Sequence, residues 1–333
     1  MAQFTIKDIA RTLGIAPSTV SRALHDHPDI SDETKRRVVE LAKEQNYQPN
    51  QIAKSLQNNR TNTIGVVVPE IEHHFFSSAI SGVEEVAYKA GYTIMVCQSQ
   101  EQMVREIMNI RALAAHRVAG IVVSLSRNTT EYSHLEDAMR QGIPLVQFDR
   151  VAEQLATSKV VVDDFNGAYA GVHHLIEQGY TRIAHIAGRS HVTIGRDRLE
   201  GYRQALQDHG FPVDENLVVP GGFQEQDGEE AMKHLLNLER LPDAVFAVND
   251  PVAIGAYRLL RERGMRIPRD MALLGFCNNP ESALVEPPLS TIAQPSWQMG
   301  KTAARLLFQQ FDQKNFVPQT HVLRTQLIVR EST

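Results

Sequence analysis

The chain has 333 residues, 42% of them hydrophobic, which is enough for two or three cores rather than one. The first thirty residues hold no apolar run long enough for a secretory signal, and no stretch approaches the roughly 18 apolar residues of a membrane span. Cys97 and Cys277 are the only cysteines, too few and too far apart for a disulfide framework or a zinc site, so a reducing cytoplasm is the expected compartment. The net charge of −5 conceals an asymmetry: residues 1–60 carry nine Lys and Arg against seven Asp and Glu, and the remainder 25 against 32. A mildly basic head on an acidic body suits a local contact with DNA.

The stretch "TIKDIARTLG" opens with Thr5, a good helix cap, and Asp8 follows three residues later as in a capping box. Ile6, Ile9, Ala10 and Leu13 share one face at helical spacing, and Gly14 ends the helix. Pro17 begins a second helix, expected to run to about Leu24, and the tight turn between the two makes a helix-turn-helix unit. A third helix is expected from Ser31, with Asp32 and Glu33 in its first turn and Val38, Val39, Leu41 and Ala42 facing inward. Helical spacing alone fits a plain three-helix bundle equally well.

The next stretch, "YQPNQIAKSLQNNRTNTIGVVVP", adds motifs of higher specificity. Together with "TIKDIARTLGIAPSTVSRAL" it makes Thr5 to Pro69 resemble the lactose-repressor (LacI/GalR) family of bacterial transcription regulators, and the resemblance continues more loosely to the end of the chain. It implies that the second helix lies in the major groove of DNA, with Pro17, Ser18 and Arg22 toward the bases, Thr19 and Ser21 on phosphates, and Thr5 among the contacts. Ala16 stands where the usual polar cap would be, and Pro17 has no donor, so base choice falls on Ser18 and Arg22. Arg22 can fork onto guanine O6 and N7, worth roughly 1–3 kcal/mol of discrimination. Residues Asn50 to Asn58 resemble the family's hinge helix, capped by Asn50, with Ala53 and Lys54 at the DNA and Leu56 as an apolar wedge in the minor groove. At about nine residues such a helix is too short to be stable alone.

From Ile64 onward apolar runs alternate with helix-length amphipathic stretches. "TIGVVV", "YTIMVC", "AGIVVSL" and "IPLVQFD" form one series, with helices near Phe75–Ala90 and Val104–His116. "TRIAHIAG", "DAVFAVND" and "MALLGF" form a second, with helices near 196–209, 227–238 and 251–263. Val/Ile-rich strands between helices indicate parallel sheets covered on both faces. The expected fold is therefore an all-α helix-turn-helix head plus an α/β body of two doubly wound parallel-sheet lobes. The resemblance makes that body periplasmic-binding-protein-like. The expected divisions are 1–49 for the DNA-binding head, 50–60 for the hinge helix and linker, and 61–333 for the effector-binding and dimerisation body. Within the body the N-lobe takes about 61–162 plus 292–322, and the C-lobe about 163–291 plus 323–333.

Ligands of such sheets bind beyond the carboxyl ends of the strands, here between the lobes. Asp149 and Arg150, Asn249 and Asp250, Phe75 and Phe76, Arg198 and Phe223 stand near those ends. Carboxylate, amide and guanidinium groups clamp hydroxyls while aromatic faces cover a ring, so a sugar or nucleoside-like ligand is expected. The same residues could also form an Asp149–Arg150 salt bridge and a helix cap at Asn249. The resemblance implies that Asp149, Arg198, Phe223 and Asn249 line the effector site. Cys277 in "GFCNNP" stands where many relatives have an aspartate, so the ligand or its pose should differ from theirs.

Enzymatic motifs fare worse. "GKT" at Gly300–Thr302 would be a phosphate loop only with glycine where the chain has Pro295, and it sits within a helical pattern. The pairs His73–His74 and His173–His174 lack metal-ligand spacing. The sequence thus reads as a non-enzymatic, dimeric transcription regulator, a repressor, without cofactor or metal. Its partners are a palindromic double-stranded DNA operator, a second copy of itself and a sugar-like effector, with no membrane.

Overall fold

The computed structural model describes residues 4–45, 47, 61–313 and 316–333. The chain divides into two units, Met1–Thr61 and Asn62–Thr333. The expected hinge residues Asn50, Ala53, Lys54 and Leu56 lie outside the described residues.

The head contains α1 (Ile6–Leu13), α2 (Pro17–Leu24) and α3 (Asp32–Glu44). At the start of α1, the Thr5 backbone N–H and hydroxyl both donate to the Asp8 carboxylate, at 3.0 and 2.6 Å. Gly14 adopts φ 65°, which lets the Ile15 N–H turn back onto the Ala10 carbonyl at 3.1 Å and closes the helix. The apolar stripe buries Ile9, Ala10, Val20, Ala23, Val38 and Ala42 in one small core. Val39 is a correction to the sequence reading. It is 36% exposed, because a step of 100° from Val38 carries it off the buried stripe of α3.

The body holds two six-stranded sheets. The first runs in the order β11-β5-β4-β3-β1-β2, with β1 (Thr63–Val68), β2 (Thr93–Gln98), β3 (Gly120–Val123), β4 (Leu145–Phe148), β5 (Ser158–Val162) and β11 (Thr320–Leu323). Its helices are α4 (His74–Lys89), α5 (Met103–Ala115) and α6 (Ser133–Arg140), joined by α11 (Ser296–Asp312) from far along the chain. The second sheet runs β12-β10-β9-β8-β6-β7, with β6 (Ile183–Ala187), β7 (Val218–Pro220), β8 (Ala244–Ala247), β9 (Ala272–Cys277), β10 (Ser290–Ala293) and β12 (Gln326–Ile328). Its helices are α7 (Asp164–Glu177), α8 (Thr193–Asp208), α9 (Glu225–Leu236) and α10 (Asp250–Glu262). All pairings are parallel except β10 with β12. The central strands are buried on both faces, as β1, β3 and β8 show.

Three chain crossings join the lobes: between β5 and α7, between β10 and α11, and between β11 and β12. Ile292 and Ala293, expected in the N-lobe, belong to β10 of the second sheet, and Leu323, expected in the C-lobe, belongs to β11 of the first. The crossing helix α11 packs on α4 so closely that a Cβ on Gly300 would lie 1.9 Å from the Ala79 carbonyl oxygen. That glycine of "GKT" is therefore required by helix packing.

One buried titratable group sits in the core of the second lobe. His185 is fully buried between the rings of Tyr202 and Phe246, with centroids at 5.2 and 4.8 Å. Its Nδ1–H donates to the Phe246 carbonyl at 2.9 Å, while Nε2 meets no protein partner. Burial pushes its pKa down to about 4. The unfolded chain, with an ordinary histidine near 6.5, then binds the extra proton first as pH falls. The neutral histidine's contribution is complete above pH 6.5 and is lost between 6.5 and about 4, a change of ~3 kcal/mol. Denaturant titrations of wild type and His185→Phe should differ by a constant above pH 7. The gap should move in the variant's favour across that acid window, and a gap independent of pH would refute the assignment.

Candidate functional site

The carboxyl ends of both sheets face a shared cleft lined by Phe75, Phe76, Asp149, Arg198, Phe223, Asn249 and Cys277. All seven effector-site residues expected from the sequence thus come together in the structure. The free space among them is about 40 Å³, room for about three waters at 10–15 Å³ each.

Asp149 follows β4 with φ 60°, a left-handed turn that takes its side chain off the sheet's alternation. It is 6% exposed and accepts one hydrogen bond, from the Ser124 hydroxyl at 3.2 Å. Burial pushes its pKa up, against the pull of Arg150 and Arg198. Arg198 projects from α8 and is completely enclosed: Nε donates to Asp164 Oδ1 at 2.8 Å, Nη1 to the Val248 carbonyl at 2.6 Å, and the guanidinium lies 3.6 Å from the Phe276 ring centroid. Asp164, desolvated beside it, has its pKa raised to about 6. Asn249 caps α10, its Oδ1 accepting from Val252 N at 3.0 Å and its Nδ2 donating to the Phe223 carbonyl at 2.9 Å. The amide therefore fixes the Phe223 loop as well as the helix. Cys277 has φ 121° at the end of β9, and burial pushes its thiol far up, so the sulfur is a neutral, weak donor.

Three arrangements were not legible in the sequence. Arg150 does not bridge mainly to Asp149, whose Oδ2 is 3.9 Å from its Nε. Both Glu101 oxygens take its Nη1 instead, at 2.7 and 2.9 Å. Its guanidinium stacks 4.7 Å from the Phe223 ring centroid and 5.8 Å from that of Phe76. Gln294 enters the lining from the crossing after β10, and its Nε2 is buried without a protein partner, as is Arg150 Nε. Asp250, which shares a strand end with Asn249, turns away from the cleft. It accepts from Asn279 N, Ser282 Oγ and Thr291 Oγ1 at 2.7, 2.7 and 2.6 Å and so holds the loop after Cys277. The signal for Arg150 was its place beside Asp149; Glu101 is 49 residues away in sequence, and nothing local marks it.

Of the histidine pairs, His73 lines this cleft and His74 opens α4, while His173 and His174 lie on α7. His73 pairs with Glu70 at 2.6 Å, His173 with His209 at 2.9 Å, and His174 with the Thr333 hydroxyl at 3.0 Å. In the head, Ser18 and Arg22 are exposed one helical turn apart on α2, Thr19 and Ser21 are partly covered, and the helix has the uncapped Ala16 start expected. The Thr5 hydroxyl is occupied by Asp8. No helix among the described residues is long and apolar enough to cross a membrane.

Replacing Asp250 by Ala would leave three buried donors facing each other, at a cost of about 3 kcal/mol or more. The variant should unfold at clearly lower denaturant or temperature than wild type, while Asp250→Asn keeps part of the loss back. Equal midpoints for all three proteins would mean that the loop is held by other contacts.

Residues 5–50 match the lacI family of bacterial regulatory proteins, and residues 172–333 match the periplasmic binding protein-like domain. The transcriptional repressor PurR of Actinobacillus pleuropneumoniae serotype 3 is 32% identical over 330 residues, 98% of each chain. The solved complex of the transcriptional regulator CelR with cellobiose is 31% identical, with a TM-score of 0.77 over 99% of this chain and all of that one. A LacI-family regulator from Enterococcus faecium with bound ribose is 30% identical, with a TM-score of 0.73 over 81% of this chain and 98% of that one. With a helix-turn-helix head, two parallel-sheet lobes around a polar cleft, and full-length relatives of this kind, the chain belongs to the lacI family and is a DNA-binding transcription regulator, not an enzyme.

Proposed function

We propose that the cleft holds a neutral sugar as effector and that its occupancy sets the affinity of the head for operator DNA. One observation carries this reading. Arg150 Nε and Gln294 Nε2, both buried donors without a hydrogen-bond partner, stand in the same cleft as the Asp149 carboxylate. A polyhydroxylated ring supplies what both sides lack, since each hydroxyl donates to a carboxylate and accepts from a guanidinium or amide. Asp149, Arg198 and Asn249 hold hydroxyls with them, and Phe75, Phe76 and Phe223 cover the apolar faces of the ring. Cys277 forms a corner that accepts poorly from a hydroxyl. The cellobiose and ribose bound by two relatives support a carbohydrate. A cleft of about 40 Å³ admits such a ring only when the lobes part.

On the DNA side, Ser18 and Arg22 read base edges from α2, while Thr19, Ser21 and Thr5 touch the backbone. Asn50, Ala53, Lys54 and Leu56 add minor-groove contacts from the hinge segment. The division of labour is 1–49 for reading, 50–60 for the hinge and 61–333 for effector binding and dimerisation. Two copies repress from a palindrome whose half-sites lie about one helical turn apart, on nucleoid DNA in the cytoplasm.

A thermal-shift screen of neutral sugars, including ribose and cellobiose, alongside phosphosugars and nucleosides tests the cleft. A neutral sugar at a hundredfold excess over its Kd adds about 2.7 kcal/mol of stability. The shift should fall at least tenfold in affinity with Asp149→Asn or Arg198→Lys. Stabilisation by phosphosugars or nucleosides alone would overturn the neutral-sugar reading.

For the head, Arg22→Ala should lose roughly 1–3 kcal/mol of preference at one guanine per half-site. Lys54→Ala should weaken all sequences evenly and flatten the salt dependence. Unchanged base preference in Arg22→Ala, read by competition among operator variants, would assign base reading to other residues.

A further inference from the structure

We infer that Glu101 is a positioning residue that fixes both of the first-lobe points on which the second lobe closes at Phe223 and His191. One point is the Arg150 guanidinium. Both Glu101 oxygens hold its Nη1, and Phe223 of the second lobe lies across it at 4.7 Å. The other is the loop after β3. Glu101 Oε2 accepts the Arg127 N–H at 2.7 Å, and the carbonyl of the same residue accepts from His191 Nε2 of the second lobe at 2.7 Å. The Glu101 carbonyl also takes the Asn128 side-chain amide at 2.8 Å, and Arg150 returns its carbonyl to Leu125 N at 3.1 Å. One carboxylate, 4% exposed, thus anchors two cross-lobe contacts made by residues 32 positions apart in the second lobe.

Both anchors depend on charge as well as shape. A neutral amide at position 101 offers one acceptor where the carboxylate serves two partners with both oxygens, and it presents an N–H to a donor. Arg150 would then lose its hydrogen-bonded counter-ion and keep only the longer contact to Asp149, 3.9 Å from its Nε, so its guanidinium is free to leave the Phe223 face. The Arg127 peptide would lose its fixed position at the same time. Glu106 holds the neighbouring part of this loop, through Ser126 N and Oγ at 2.7 and 2.8 Å and Thr129 Oγ1 at 3.1 Å, but it touches neither closing point. Because Arg150 lines the cleft, the inference rests on the reading of that cleft as the effector site. It gives Glu101 the role of linking what the effector touches to whether the lobes are shut.

The experiment needs no effector, so it stands apart from the sugar screen. Hydrogen–deuterium exchange of the full-length wild-type protein is compared with that of Glu101→Gln. Peptides covering 188–193 and 221–226 in the second lobe should exchange several-fold faster in the variant, together with 124–129 in the first. Peptides over 178–182 and 238–243, which lead into the amino ends of β6 and β8 away from the cleft, should not change. A purely structural role for Glu101 would raise exchange in the first lobe alone, and that result would overturn the inference. So would unchanged exchange throughout. Should Glu101→Gln fail to fold, the double variant His191→Ala, Phe223→Leu removes the same contacts from the opposite side. It should raise exchange at 124–129 by a similar factor, and no rise there would likewise overturn the inference.

Discussion

Everything else in the body depends on how the cleft buries charge without locking itself shut. Each arginine in it is neutralised by a carboxylate of its own lobe: Arg150 by Glu101 in the first, Arg198 by Asp164 in the second. Splitting either pair would cost about 3–5 kcal/mol, because a lone ion would remain in a poorly solvated place. Parting the lobes splits neither. What parting does break is a set of weaker contacts: Phe223 on Arg150, His191 on the Arg127 carbonyl, Gln224 on Glu70 at 2.8 Å, and Arg196 on Glu153 at 3.0 and 3.1 Å. The Arg196–Glu153 pair is half exposed and worth at most about 1 kcal/mol. Open and closed forms therefore differ by an amount that a modest ligand can overcome, which a two-state regulator requires.

The head and the two-lobed plan were readable because their signals are local. Capping at Thr5, the stop at Gly14 and apolar spacing fix α1 and α2 within a few residues. Val/Ile runs mark the central strands, which are buried on both faces and need no alternation. Of the four edge strands, β2 was marked by "YTIMVC", and the other three escaped notice for the complementary reason. β7, β11 and β12 are three or four residues long and only part-buried, so their composition is mixed and their period has no room to show. The lobe boundaries moved by one or two residues because the expected ones, at 292 and 323, fell inside the four-residue strands β10 and β11 rather than just after them.

The cleft was half legible. Strand-end position and side-chain chemistry located Asp149, Asn249 and Phe223, since a doubly wound sheet leaves few other places for a ligand. The pairing of those groups was not legible, because an ion pair between positions 101 and 150 depends on two loops meeting in space. Asp149 and Arg150, neighbours in sequence, looked like partners, yet adjacent residues leave the chain in divergent directions. Gln294 was missed for a related reason: it lies just past β10, whose sequence STIA lacks the Val/Ile/Phe character that marked the other central strands.

Backbone strain is concentrated at this cleft. Among the described residues seven besides glycine have positive φ, and five of them follow or end strands at its rim: Gln100 and Glu101 after β2, Asp149 after β4, Cys277 and Asn278 at β9. Such conformations cost on the order of 1–3 kcal/mol each and persist only where surrounding contacts enforce them. Here those contacts can be named: Ser124 on Asp149, Arg150 and Arg127 on Glu101, the Thr291 hydroxyl on Asn278 N at 3.2 Å. The geometry also has a reason. Side chains on a strand point up or down into helices, and a left-handed residue just past the strand can aim along its axis instead, as Asp149 does. The lining at the strand ends thus combines left-handed residues, Asp149 and Cys277, with side chains brought by helices and by an extended helix cap, such as Phe75, Arg198 and Asn249, and together they turn the sheets' edge into a cleft.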